Sequence, residues 1–260
     1  MAKLGKPQGK DRVLVALDTK STNQALKWVR QLSGKVGGFK LGFEYFYGLL
    51  WRMIGTNHDV AVAEFDMARD LFGLIGSDIL ADIKIYDIPN TMGGAASALN
   101  LLPPRFMNLH ASAGIDGMMA VVENKGNSLV LAVTLLTSFE ENNANLLYGS
   151  PTKAKVLQLA RDAKLAGCDG IICSPLELPI LKARRELAGL IYVTPGIRPL
   201  GADKGDQNRV MTPGECVLAG GDYMVIGRPI TGAKDPANAV FQITAEIEAA
   251  EAELAARAVK

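Results

Sequence analysis

"ILADIKIYDIPNT", residues 79 to 91, opens as a buried β-strand and ends as something else. Ile79, Leu80 and Ala81 are apolar, but Asp82, Lys84 and Asp87 then set carboxylate, ammonium and carboxylate within six positions. Side chains at i and i+2 of a strand share a face, so Asp82 and Lys84 point the same way. If that face is enclosed, an unpaired charge on it is costly or neutralises itself, so partners are required. Asp87 comes where Ile88-Pro89 ends the strand and is expected to swing back toward the same mouth. Carboxylates flanking an ammonium keep it protonated despite burial. Such a lysine is a poor base and a poor Schiff-base nucleophile, but a good cation and proton donor.

On either side of this stretch, short β-rich runs alternate with helical ones. The candidate strands are "VLVALD" (13–18), "GFKLGF" (38–43), "ILADIKIY" (79–86), "FMNLHAS" (106–112), "LVLAVTLLT" (129–137), "GIICS" (170–174), "LIYVTPG" (190–196) and "YMVIG" (223–227). Most are apolar throughout, as parallel strands covered on both faces are. "STNQALKWVRQL" begins with capping residues and spaces Leu26, Val29 and Leu32 along one stripe. "PTKAKVLQLARDAKLAG" does the same with Val156, Leu159 and Ala163 and stops on Gly167. The stretch from Asp235 to Lys260 has Pro236 at a first-turn position and continues as a charged amphipathic helix. Eight such alternations predict an α/β fold, a (β/α)8 TIM barrel forming a single domain over residues 13–260. Residues 1–12 read as a flexible basic leader. Residues 44–78 exceed what one helix needs and predict two helical pieces, their aromatic residues filling core.

The chain's 260 residues suit one such barrel, and a formal net charge of +1 gives no electrostatic case for nucleic acid or an anionic membrane. No apolar run approaches the length of a membrane span, and no signal-peptide core is visible, so a cytoplasmic protein is expected. Cys168, Cys173 and Cys216 lack metal-ligand spacing and read as buried thiols in a reducing compartment. With only His58 and His110 present, a zinc site is not expected.

In such barrels the chemistry sits at the C-terminal ends of the strands. Asp18 ends the first, Lys40 lies in the second, Asp82 and Lys84 in the third, and Thr137 ends the fifth. Ser21 and Thr22 already offer caps to the first helix, which leaves Asp18 available for function. Lys40 alone would be equally well read as snorkelling to the rim, and His110 reads as a core histidine. Barrels fill their lumen with apolar side chains, which makes a purely structural ion-pair network at Asp82 and Lys84 the lesser reading. After "VTPGIRP" comes the polar loop "LGADKGDQNRV", a candidate lid, and the eighth strand ends in Gly227 and Arg228. Loops after strands seven and eight are the usual phosphate site of this fold, which points to a phosphomonoester ligand.

Taken together, "DIKIYDIPNT" (82–91), "VALD", "FKLG", "NLHAS", "VTLLTS", "VTPGIRP", "GDQNR" and "DYMVIGRPITGAKDP" resemble the orotidine 5′-monophosphate decarboxylase family, its bacterial branch above all. The resemblance runs from residue 13 to about residue 245; the leader falls outside it, and segment 44–78 exceeds the family's usual length. It implies decarboxylation of orotidine monophosphate to UMP without metal or cofactor. It also implies roles: Asp18 and Lys40 on the ribose hydroxyls, Asp82 beside the departing carboxylate, and Lys84 delivering a proton to C6. Asp87, Ile88 and Thr91 would reach into the neighbouring site of a homodimer. Thr137 would meet the pyrimidine edge, Pro195 would line the pocket, and Arg198, Gln207, Gly227 and Arg228 would hold the phosphate. Two rivals are a Mg²⁺-dependent sugar-phosphate decarboxylase or aldolase of the same superfamily, and an idle barrel that senses nucleotides. The "IPNT" continuation and the lid motif favour the pyrimidine enzyme over the first. The intact Asp82, Lys84 and Asp87 set argues against the second.

Overall fold

The computed structural model describes residues 5–200 and 210–258. All eight expected strands are present: β1 (Val13–Ala16), β2 (Gly38–Gly42), β3 (Ile79–Ile85), β4 (Phe106–His110), β5 (Leu129–Val133), β6 (Gly170–Ile172), β7 (Ile191–Thr194) and β8 (Tyr223–Ile226). They run parallel in chain order and close on themselves, Leu14 of β1 lying opposite Val225 of β8. Each strand stops short of its expected C-terminal end. β5 is the extreme case: it stops at Val133, and Leu135 is buried without belonging to the ladder. Thr137 therefore sits on the loop beyond β5. Apolar character marks burial, and at the barrel mouth burial continues after strand pairing has ended.

Strand register sorts the side chains into two shells. Leu14, Ala16, Leu80, Phe106, Tyr223 and Val225 belong to the smaller cluster, which fills the lumen; Phe106 and Tyr223 meet edge-on at 5.1 Å. Their alternates, such as Val13, Val15, Ile79 and Ala81, pack outward in the larger core. Ala16 pairs with Lys40, and Lys40 with Leu80, so Lys40 faces the lumen; Asp82, two residues past Leu80, does too.

The outer layer comprises α1 (Thr22–Leu32), α2 (Phe43–Gly55), α3 (His58–Ile75), α4 (Pro89–Leu99), α5 (Gly114–Asn124), α6 (Glu141–Tyr148), α7 (Thr152–Leu165), α8 (Leu178–Lys182), α9 (Pro213–Leu218), α10 (Arg228–Thr231) and α11 (Pro236–Ala258). The Ser21 hydroxyl caps α1 by accepting from the Gln24 N–H, and Leu26, Val29 and Leu32 are buried as their spacing requires. Gly167, with φ of 81°, takes the left-handed turn after α7.

Segment 44–78 forms two helices, α2 and α3. A polar knot ties them to α1: Arg52 pairs with Glu64 at 3.0 Å, and the Thr22 hydroxyl donates to Glu64 at 2.8 Å. The expectation that its aromatics fill core needs correcting. Tyr45 is fully buried, but Tyr47, Leu50, Trp51 and Ile54 are exposed, Trp51 by 64%. The reason is geometric: α2 packs chiefly on α3 and β2, which cover a single side of it.

The leader also needs correcting at its end. Gly9–Arg12 form a 3-10 turn in which Arg12 is buried. Its Nε donates to Glu251 of α11 at 2.5 Å, and its Nη1 donates to the carbonyls of Gly221 and Asp222. The guanidinium thus stitches the start of β1 to α11 and the approach to β8. Removing one partner of such a buried pair strands the other's charge. Arg12→Ala is expected to lower unfolding stability by about 3 kcal/mol. A urea midpoint equal to that of wild type would show that the stitch contributes nothing.

Candidate active site

Four charged side chains alternate in sign across the barrel mouth. Lys40 Nζ lies 2.7 Å from Asp18 Oδ1 and 3.3 Å from Asp82 Oδ2. Lys84 Nζ lies 2.7 Å from Asp82 Oδ1. The side chains of Lys40, Asp82 and Lys84 are only 11%, 14% and 27% exposed, so the contacts among these three act with little solvent screening, whereas the Asp18 side chain is 56% exposed. Burial alone would pull the Lys40 pKa down, but Asp82 and Asp18 outweigh it and the value ends above the ordinary lysine range. For Asp82 burial would raise the pKa. Lys40, Lys84 and the hydrogen bonds from Lys84 and Asn108 overcome that and hold the carboxyl below its usual value.

β3 does not run as a regular strand through this cluster. Ala81 pairs with Met107 and Ile85 with Leu109, so residues 82 to 84 of β3 face Asn108 alone on β4. That bulge turns the chain at Lys84, whose φ of 44° is the one positive value at a non-glycine among the described residues. Such a conformation costs a long side chain roughly 1–2 kcal/mol. Asp82 and Lys84 thus converge because the strand breaks, and not because residues i and i+2 of a regular strand share a face. Lys84 Nζ also lies 5.2 Å from the centroid of the Phe43 ring, which opens α2.

Lys40, Asp82, Lys84, Thr137 and Pro195 line one cavity of about 170 Å³ at the mouth. Its other walls are mostly apolar and include Leu80, Val133, Leu135 and Ile172. Gly227 follows β8 and precedes α10, beside β1: a Cβ there would lie 3.5 Å from the Ala16 Cβ and 3.8 Å from Asp18 Oδ2. Arg228 follows as the first residue of α10. Arg198 stands at the root of the polar loop, where its N–H donates to the Met211 carbonyl and Ile197 bridges to Met211. Gln207, with Gly201 and Gly205, lies outside the described residues.

Asp87 departs from expectation. It does not swing back to Lys84 within the chain; it is exposed, and its carboxylate accepts from the Ile88 N–H at 2.7 Å. The cause is local, because Pro89 starts α4 immediately and carries the chain outward. Ile88, 66% exposed, and Thr91 share that outward course.

Two neighbours escaped the sequence reading. Asn108, fully buried, was legible as a polar residue on the lumen face of β4, two positions after Phe106. Phe43 gave no signal, since an aromatic closing an apolar strand reads as core. His110, at the end of β4, meets the edge of Tyr86 at 5.9 Å; burial and then Lys84 push its pKa below the ordinary histidine value.

A depressed carboxyl pKa carries a stability signature. The Asp82 charge favours the fold above the ordinary carboxyl pKa, and that contribution is lost as pH falls through the folded value. The stability of wild type relative to Asp82→Asn is therefore expected to hold above about pH 5 and to decline as pH falls below about 4 in urea titrations. A pH-independent difference would contradict the depressed value.

Comparison with known proteins agrees with the geometry. The family model for the orotidine 5′-phosphate decarboxylase / HUMPS family matches residues 11–243. An orotidine 5′-phosphate decarboxylase of Moorella thermoacetica is 38% identical over 252 residues, covering 92% of this chain and 93% of the relative. One of Geobacter sulfurreducens is 39% identical over 252 residues, covering 93% and 98%. The crystal structure of orotidine 5′-phosphate decarboxylase from Lactobacillus acidophilus superposes with a TM-score of 0.70 at 33% identity, covering 90% of this chain and 98% of that one. This chain belongs to the orotidine 5′-phosphate decarboxylase / HUMPS family.

Proposed function

We propose that this protein decarboxylates orotidine 5′-monophosphate to UMP in pyrimidine biosynthesis. The observation that carries this reading is the Lys84 ammonium, bonded to Asp82 and aimed into a largely apolar cavity. Breaking the bond between C6 and the carboxylate releases CO2 and leaves an electron pair in an sp² orbital that no carbonyl can delocalise. Two devices answer that charge. A preorganised cation stabilises it as it forms, and a proton then passes from Lys84 Nζ to C6. Solvent returns the proton to Lys84. Asp82 holds the ammonium in place and lies beside the departing carboxylate, while Lys40 offsets its charge.

The remaining roles position the substrate. Asp18 and Lys40 hold the ribose hydroxyls, Thr137 the pyrimidine edge, and Pro195 the pocket wall. Arg198, Gln207, Gly227 and Arg228 grip the phosphate, so that contacts far from C6 help to order the site. No metal or cofactor takes part. The working unit is a homodimer in which Asp87, Ile88 and Thr91 enter the site of a second copy; the outward course of these residues supports this. Three buried free thiols suit a cytoplasmic setting. Among the described residues no helix is long and apolar enough to cross a membrane.

The deciding assay follows loss of orotate-type ultraviolet absorbance when orotidine monophosphate is added, with and without EDTA. Turnover that survives EDTA is expected; a requirement for a divalent ion would point to the enediolate chemistry of the sugar-phosphate enzymes. Lys84→Ala is expected to fold and bind UMP while losing activity by about 10⁴-fold or more. Robust turnover in it would remove the proposed proton donor. Arg228→Ala should raise KM by roughly 100-fold with saturated turnover largely retained, as loss of a charge-assisted phosphate contact implies. An unchanged KM would move the phosphate elsewhere.

A further inference from the structure

We propose that Asn108 is a positioning residue for the decarboxylation, one amide that sets the Lys84 backbone and the Asp82 carboxylate in a single geometry. The inference rests on the reading of Lys84 as proton donor. Both ends of the Asn108 amide are committed. Its Oδ1 accepts from the Lys84 backbone N–H at 2.7 Å, and its Nδ2 donates to Asp82 Oδ1 at 2.6 Å. That same Asp82 oxygen receives the Lys84 ammonium at 2.7 Å. The three contacts form a closed loop: backbone of Lys84, amide of Asn108, carboxylate of Asp82, side chain of Lys84.

The loop explains how the bulge persists. At residues 82 to 84 the β3–β4 ladder is interrupted, so the Lys84 N–H has lost its strand partner and would be stranded in a buried place. Asn108 replaces that partner from the lumen face of β4, and the left-handed turn at Lys84 is held by it. An apolar residue at 108 would fill the space but satisfy neither group. An aspartate would still accept from Lys84, yet would set a second carboxylate against Asp82. Asn108 need not touch substrate; its effect passes through the aim of the ammonium, and an error of about 1 Å in such aim can cost on the order of 100-fold in rate.

The test compares wild type, Asn108→Ala and Asn108→Asp at pH 8. The charged groups facing position 108 are Asp82 and Lys84 on β3, Lys40 behind Asp82 on β2, and His110 on β4 itself. His110, held below the ordinary histidine value by burial and then by Lys84, is neutral at pH 8 and does not contribute. Asn108→Ala is expected to fall about 10- to 100-fold in kcat while KM stays within about threefold, because ribose and phosphate contacts lie elsewhere. Asn108→Asp, nearly isosteric, should show the same split and serves if the alanine variant fails to fold. A crystal structure of Asn108→Ala, which lacks the acceptor of the Lys84 N–H, should show Lys84 leaving the left-handed region. A wild-type kcat in a folded variant, or equal losses in kcat and KM, would overturn the proposal. Should wild type itself fail to turn over orotidine monophosphate, the functional reading falls, and an unchanged Lys84 φ in the alanine variant would then reject Asn108 as its holder.

Discussion

Everything at the mouth of this barrel is organised around the carboxylate of Asp82. It receives an ammonium on each oxygen, Lys40 on one and Lys84 on the other, and an amide donor besides. Burial by itself would push the Asp82 carboxyl toward its neutral form and would likewise favour loss of the Lys40 proton. Together they remain ionised in a cavity whose other walls are mostly hydrocarbon. The fold supplies this arrangement cheaply in sequence terms, because β1, β2 and β3 are neighbours in space and in the chain. The electrostatics therefore rest on strand register: shifting β2 by one residue would send Lys40 to the outer core.

The barrel was legible because its strands are apolar along their length and helices alternate with them. The charges at strand ends were legible for the same reason, as polar residues where an apolar pattern would otherwise continue. Asp82, Lys84 and Lys40 stand where that logic puts them. What escaped is what depends on three-dimensional accidents of the chain. The bulge in β3 leaves no compositional mark, since neither glycine nor proline lies between Ala81 and Ile85. Asn108 matters because of that bulge, so its importance could not be seen before the bulge was. Asp87 misled because a residue three positions past an ammonium can turn either way, and Pro89 decides which.

The pair α2 and α3 shows the opposite limit. That the segment holds two helices was readable, but how much of each apolar face finds cover was not. Tyr45 and Trp51 carry similar rings on the same helix, and one is wholly enclosed while the other stands in solvent. Burial there is set by which neighbours the helix has, and a helix lying over one strand and one other helix has few.

The pairing of β1 with β8 has a temporal consequence. As the chain emerges from the ribosome, Leu14 must wait for Val225, almost at the far end of the polypeptide, before the cylinder can shut. Until then the inner faces of β1, β2 and β3 stay wet, and Lys40 and Asp82 remain hydrated. Dehydration of the ionic cluster is deferred to the closing act, when the hydrophobic gain of the finished lumen is there to offset it.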